Sequence, residues 1–341
     1  VSESLHRSED SATRHDNAQR GKHAATITYI AADGAYAEPA GQWDNHDWTL
    51  DERDALIGRR RMRYLDVGVG ETAVVLLHGM GGRWQHWVYV IPQWADRFRV
   101  LALDLPGFGE SELPVRPLSL DGLADAVAEL CRHVGVKRVA IVGHSMSGSI
   151  ALRFASRHRE LACAIVLVAG AVFQFSSLLS RRAVIPYFLR RPRASSAIVT
   201  EVASAAITLP KMVRRLIAGS ALLRRIALWP YVLRPAELTS AAAALIVDGG
   251  GAPGVASTVR AIGQSEVLGS IDDVGCPILS IAGDRDLICA AAGRRNAATA
   301  GAPRTNGRSR GVRSHAHART AQRSCRAADR LRHDLRRLTT P

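Results

Sequence analysis

Apolar and polar positions between Arg61 and Gly170 fall into blocks that switch between two periods. RMRYLDVGVGETAVVLLHG reads as a strand, a glycine-bounded turn and then AVVLL, a continuous apolar run of the kind buried on both faces of a parallel sheet. A third strand, RVLALDL, follows at residues 99–105. In LSLDGLADAVAELCRHVG the residues Leu120, Leu123, Val127 and Leu130 recur at helical spacing, and Gly135 marks the stop. Strand KRVAIVG, a turn, helix MSGSIALRFASRHRE and strand ACAIVLVAG complete two further units. Strands alternating with helices through short links predict an α/β fold with a doubly wound, mostly parallel sheet.

After Gly170 the alternation stops. Residues 171–265 read as helical stretches rich in Ala, Leu and Arg, broken at Pro186, Pro192, Pro210, Pro230 and Pro235, which predicts a helical insertion. The sheet pattern resumes with CPILSIAGDRD at 276–286. Residues 1–50 mix Ser, Asp, Arg, His and Gly without periodicity and are expected to be mostly disordered. The expected organisation is thus a core at 51–170 and 266–290, a helical cap at 171–265 and a tail at 291–341.

Composition narrows the function classes. With 341 residues, 47% of them hydrophobic, the chain can bury a large core. No stretch approaches the roughly 18 uninterrupted apolar residues of a membrane span, and the first residues are too polar for a signal peptide. The five cysteines (Cys131, Cys163, Cys276, Cys289, Cys325) are scattered and lack CxxC spacing, so neither a disulfide framework nor a zinc site is expected, and a reducing cytoplasm fits best. No cofactor and no metal are expected. The net charge of +14 invites a nucleic-acid reading, but residues 291–341 hold thirteen Arg, no Lys and two acids, leaving only +3 for the first 290. That last segment has no Phe, Tyr, Trp or Ile and cannot complete a core. No specific nucleic-acid partner is expected; an Arg-tail binder is the reading from a different class.

The candidate chemistry centres on Ser145 in VAIVGHSMSGSIAL. A serine hydroxyl is a weak nucleophile, so it must be exposed at a strained turn, set beside a base and faced by donors where an oxyanion forms. This run follows a predicted buried strand and opens a predicted helix, which is the setting a nucleophile elbow needs. Gly143 and Ser147 flank it with small side chains; the usual fifth position is Gly, and here Gly148 comes one residue late. Upstream, LLHGMGG at 76–82 places glycine-rich backbone just after a strand, where a second oxyanion donor belongs.

LLHGMGG, DLPGFGES at 104–111, GHSMSG and PILSIAGDRD, in this order and spacing, resemble the α/β-hydrolase superfamily over about residues 58–290. The resemblance implies a hydrolase with Ser145 as nucleophile and the N–H groups of Met80 and Met146 as oxyanion donors, with Gly81 the less favoured alternative to Met80. Asp286, three residues after Gly283, matches the acid, and Asp284 is the alternative. His78 and His144 are expected to shape the loops rather than act as base. A serine where other members carry Asp argues against the epoxide and haloalkane branches. The resemblance implies cleavage of carboxylic esters or related acyl compounds through an acyl-enzyme, with carbon–carbon bond hydrolysis or a non-catalytic hydrolase-like shell as alternatives. The cap would select a small-molecule substrate, and its Leu, Ala, Val and Ile favour an apolar acyl group.

The family's histidine, in a pattern like G-H-x-x-x-x-E-x-P some 25 to 30 residues after the acid, is not present. His315 and His317 lie in the right region, yet no strand precedes them and no apolar helix follows. The excess of Arg, Ala, Gly, Ser and Pro is what a GC-rich coding region yields in a wrong frame. If RSHAHARTAQ at 313–322 is encoded CGG TCA CAC GCC CAT GCT CGA ACG GCC CAG, reading from the second base gives G-H-T-P-M-L-E-R-P. Permitted codons for the following residues continue into S-E-V-A-E-L-L-I-A-F, an amphipathic helix. A frameshift near residues 288–292 is therefore expected, with a chain lacking its base as the consequence.

Overall fold

A computed structural model describes residues 46–170, 189–190, 192–264, 273–283 and 286. The expected disordered segment at 1–45, the first part of the cap at 171–188, Asp284, and the tail with His315 and His317 lie outside the described residues.

Among the described residues, seven strands form one sheet: β1 (Glu52–Ile57), β2 (Arg60–Val67), β3 (Thr72–Leu77), β4 (Arg99–Leu103), β5 (Arg138–His144), β6 (Ala162–Val168) and β7 (Ile278–Ile281), in the order β1-β2-β4-β3-β5-β6-β7. β1 and β2 pair antiparallel, as do β2 and β4; every other pair is parallel. The mostly parallel sheet is the one the alternation predicts. The strand β1 is an addition, because the sequence pattern predicts strands only from about Arg61. It is an edge strand with only Ala55 and Ile57 buried, so it lacks the apolar run that marks the central strands. A tight turn with positive φ at Gly58 (56°) and Arg59 (65°) folds it onto β2, a turn chemistry that Gly-Arg does not advertise as Asn-Gly would. Residues 46–50 also belong to the folded body, since the Trp48 ring lies 6.5 Å from that of Trp84.

Strand residues feed the two faces alternately. Ala73, Val75 and Leu77 pack on one side with α2 (Leu120–His133) and α3 (Ser147–Arg157), while Val74 and Leu76 pack on the other with Trp84, Trp87, Ile91 and Ala95. Ile91 and Ala95 lie on α1 (Ile91–Ala95). Each such fully buried Val, Leu or Ile contributes about 1.5–3 kcal/mol. The predicted helical stripe Leu120, Leu123, Val127 and Leu130 is entirely buried. Ser119 caps α2 by accepting from the Gly122 amide at 3.0 Å.

Between β6 and β7 come α4 (Pro192–Ala206), α5 (Lys211–Gly219), α6 (Ala221–Ala227), α7 (Ser240–Val247) and α8 (Val255–Gln264). Prolines stand at the starts of α4 and α5, where a missing N–H costs nothing. These helices sit on the loops that follow β3 and β4. A side-chain carbon at Gly81 would lie 2.7 Å from Cβ of Ala205, and the Gly254 amide donates to the Gly107 carbonyl at 2.8 Å. No helix among the described residues is long and apolar enough to cross a membrane.

Candidate active site

The strand order decides where the site falls. The chain leaves β3 toward β4 on one side, then returns past β3 to β5 on the other, so β3 and β5 are neighbours whose connections run apart. Their carboxyl ends form the crevice where open α/β sheets bind ligands. Leu77 pairs with Gly143 at that end, so LLHGMGG and GHSMSG emerge side by side.

Ser145 stands at the tip of the β5-to-α3 turn with φ of 49°, a left-handed conformation that costs a non-glycine residue about 1–2 kcal/mol. The fold holds it there: the Ser145 amide donates to the Val168 carbonyl at 3.0 Å, and Gly148 donates back to the Ser145 carbonyl at 3.0 Å. The tightness of the turn explains the glycine before it, because a Cβ at Gly143 would come within 2.3 Å of the Ser147 carbonyl oxygen. It also explains why Ser147 serves where glycine is usual. Its Oγ donates to the His78 carbonyl at 2.5 Å and ties the elbow to the loop after β3.

That loop presses against the serine. A Cβ at Gly79 would lie 2.5 Å from Nδ1 of His144 and 3.2 Å from Cβ of Ser145. Among the described residues, nothing accepts a hydrogen bond from the amide of Met80 or Met146, and both residues are buried beside the serine. Both motif histidines, His78 and His144, are fully buried. His78 donates from Nδ1 to the Gly79 carbonyl (2.8 Å) and accepts at Nε2 from the Leu105 amide (3.1 Å); burial pushes it down to about 4, so it stays neutral. Asp104 binds the neighbouring loop in the same manner. It accepts from the Trp84 amide (2.7 Å) and the Glu110 amide (2.8 Å), while burial raises it to about 6.

Asp286 follows β7, two strands away from the elbow. It is 3% exposed, and its amide donates to the Gly283 carbonyl at 3.3 Å. Its side chain thus lies inside the protein, whereas a solvated loop carboxylate would not. Sequence reasoning missed a second buried carboxyl within electrostatic reach of it. Glu201 on α4 is buried on the stripe Ala194, Ala197, Ile198, Glu201 and Ala205, and its carboxyl is raised to about 8, first by burial and then by the charge of Asp286. The signal was available, since a glutamate at an apolar helical position is an anomaly of spacing. Among the described residues, no group of three or more His, Cys, Asp or Glu could hold a metal ion.

A strained serine between strand and helix and a glycine-rich loop against it stand at the carboxyl ends of β5 and β3, with a buried acid following β7 two strands on. Residues 72–218 match the family model of the alpha/beta hydrolase fold. A soluble epoxide hydrolase of Corynebacterium sp. (strain C12) is 39% identical over 112 residues, 33% of this chain and 39% of that protein. The dihydrolipoyllysine-residue acetyltransferase component of an acetoin cleaving system of Pseudomonas putida is 36% identical over 118 residues, 34% of this chain and 32% of that protein. The matched stretch therefore spans only about a third to two fifths of these relatives. Among solved structures, the epoxide hydrolase CorEH without ligand superposes with a TM-score of 0.62 at 25% identity, covering 83% of this chain and 99% of that one. The chain has the α/β-hydrolase fold.

Proposed function

We propose that this hydrolase acts on carboxylic esters or related acyl compounds through an acyl-enzyme, with Ser145 as nucleophile. The observation that carries the reading is the left-handed Ser145 turn pressed against the glycine-rich loop, with two buried amides at hand. In this reading the Ser145 Oγ attacks the substrate carbonyl, and the oxyanion is held by the Met80 and Met146 N–H groups. The leaving alcohol departs with a proton, and water then cleaves the acyl-serine. Asp286 orients and charge-stabilises the histidine base. Neither nitrogen of His78 is free for that role, because one donates and the other accepts within the loops. The base belongs to the segment whose reading frame is shifted, so the chain as written is poorly active. A hydroxyl at the elbow favours acyl transfer over epoxide opening, although several relatives carry epoxide hydrolase in their names.

The helices between β6 and β7 serve as a cap that roofs the serine and selects an apolar acyl group. The test is labelling of the frame-restored protein by a fluorophosphonate probe. Label is expected on Ser145 and absent in Ser145→Ala of unchanged circular dichroism; label persisting in that variant refutes the assignment.

A further inference from the structure

Helices α5 and α6 carry one pattern twice, ten residues apart: Met212-Val213-Arg214-Arg215-Leu216-Ile217 and Leu222-Leu223-Arg224-Arg225-Ile226-Ala227. In each, the first arginine turns inward. Arg214 holds Asp248 at 2.7 Å, and Arg224 donates to the carbonyls of Ala218 (2.6 Å) and Ala236 (3.3 Å). The apolar residues stand in solvent instead: Met212 is 74% exposed, Leu216 56%, Leu222 66% and Ile226 62%, with Val213 and Leu223 exposed beside them. Residues at i, i+1 and i+4 share one side of a helix, so both helices present an apolar face, and the exposed Arg215 and Arg225 edge it. Soluble proteins rarely leave clustered apolar side chains of this size in water without a use for them.

The charge along these two helices has one sign, and the nearby Asp248 is taken up by Arg214 and Arg83. Between Glu201 and Glu237 there is no carboxylate, while Lys211, Arg214, Arg215, Arg224, Arg225 and Arg234 all lie there. With Arg214 and Arg224 turned inward, Lys211, Arg215 and Arg225 remain exposed. A protein partner would have to offer an apolar groove lined by acids, fitted to two short helices. An anionic bilayer meets both demands without a shape requirement. At 9 and 7 residues the helices are about 13 and 10 Å long, far short of a roughly 30 Å hydrocarbon core, so they can lie on a membrane and cannot span it.

We propose that α5 and α6 dock this protein onto an anionic phospholipid surface, their apolar side chains entering the acyl boundary while Lys211, Arg215 and Arg225 meet the phosphates. This stands independently of the reaction at Ser145. The test is cosedimentation of the full chain with phosphatidylcholine vesicles, with and without phosphatidylglycerol. Binding is expected only with phosphatidylglycerol and is weakened by salt. The triple variant Leu216→Ser/Leu222→Ser/Ile226→Ser should lose binding at unchanged charge, and Arg215→Gln/Arg225→Gln should lower the partition coefficient by roughly fivefold per arginine. Both variants alter exposed positions, and circular dichroism melts matching the parent show that they fold. Three results overturn the proposal: no cosedimentation, binding that the triple variant retains (the Arg-rich tail then holds the vesicle), or a self-associating parent that the triple variant makes monomeric without any vesicle binding.

Discussion

Glu201→Gln tests the buried carboxyl pair directly, because it keeps the shape of the side chain and removes its titration. In the folded protein the Glu201 carboxyl is raised from an ordinary 4.5 to about 8 by burial and by the Asp286 charge. Between those values the folded state holds a proton that the unfolded state has released. Stability therefore falls as pH rises from 4.5 to 8 and levels off above. At about 1.4 kcal/mol per pH unit, the loss is about 3 kcal/mol at pH 7 and on the order of 5 kcal/mol at pH 9. The glutamine variant carries no such loss. A constant cost for seating its amide shifts its whole curve without changing the slope. Asp104, raised from 3.8 to about 6, adds a decline of the same sign between those two values, but it is present in both proteins and cancels in their difference. The assay is urea unfolding at pH 5, 7 and 9. The variant should gain on the parent by several kcal/mol between pH 5 and 9. Curves that stay parallel would refute the burial of an uncharged Glu201.

Ser147→Ala removes the bond to the His78 carbonyl and leaves that acceptor buried; a loss of about 1–3 kcal/mol in urea unfolding is expected, and a value near zero would show that the elbow does not depend on it. In the frame-restored protein, Asp286→Asn should lower kcat for p-nitrophenyl esters by about 10⁴, and an equal or larger loss in Asp284→Asn would move the acid to that residue. Restoring the frame near residues 288–292 should raise both esterase activity and melting temperature. Should the second-base frame of the gene not encode a Gly-His pair followed by a Glu-x-Pro run, the frameshift is wrong, and replacing His315 should then abolish whatever activity the chain shows.

The sequence by itself determined the central strands, the helices α2 and α3 and the elbow, because these depend on local periodicity. Val74 to Leu77 are apolar without a break since both faces of β3 are covered, and the stripe from Leu120 to Leu130 shows one buried side of a helix. The elbow was legible for the same reason, since strand, Gly-x-Ser and helix are contiguous in the chain. The edge strand β1 was not legible, because pairing on one side only asks little of its side chains. What only the tertiary structure decided are relations between distant segments. Strand order set LLHGMGG against GHSMSG, and it gave Ser147 the His78 carbonyl as partner, which turns an irregular motif position into a tie between two loops. It also packed α4 against the loop after β3, with the buried Glu201 within electrostatic reach of Asp286, and it left the apolar faces of α5 and α6 uncovered. Periodicity tells which side of an element is buried, but the neighbour it is buried against is fixed only when the whole sheet and its covering helices close together.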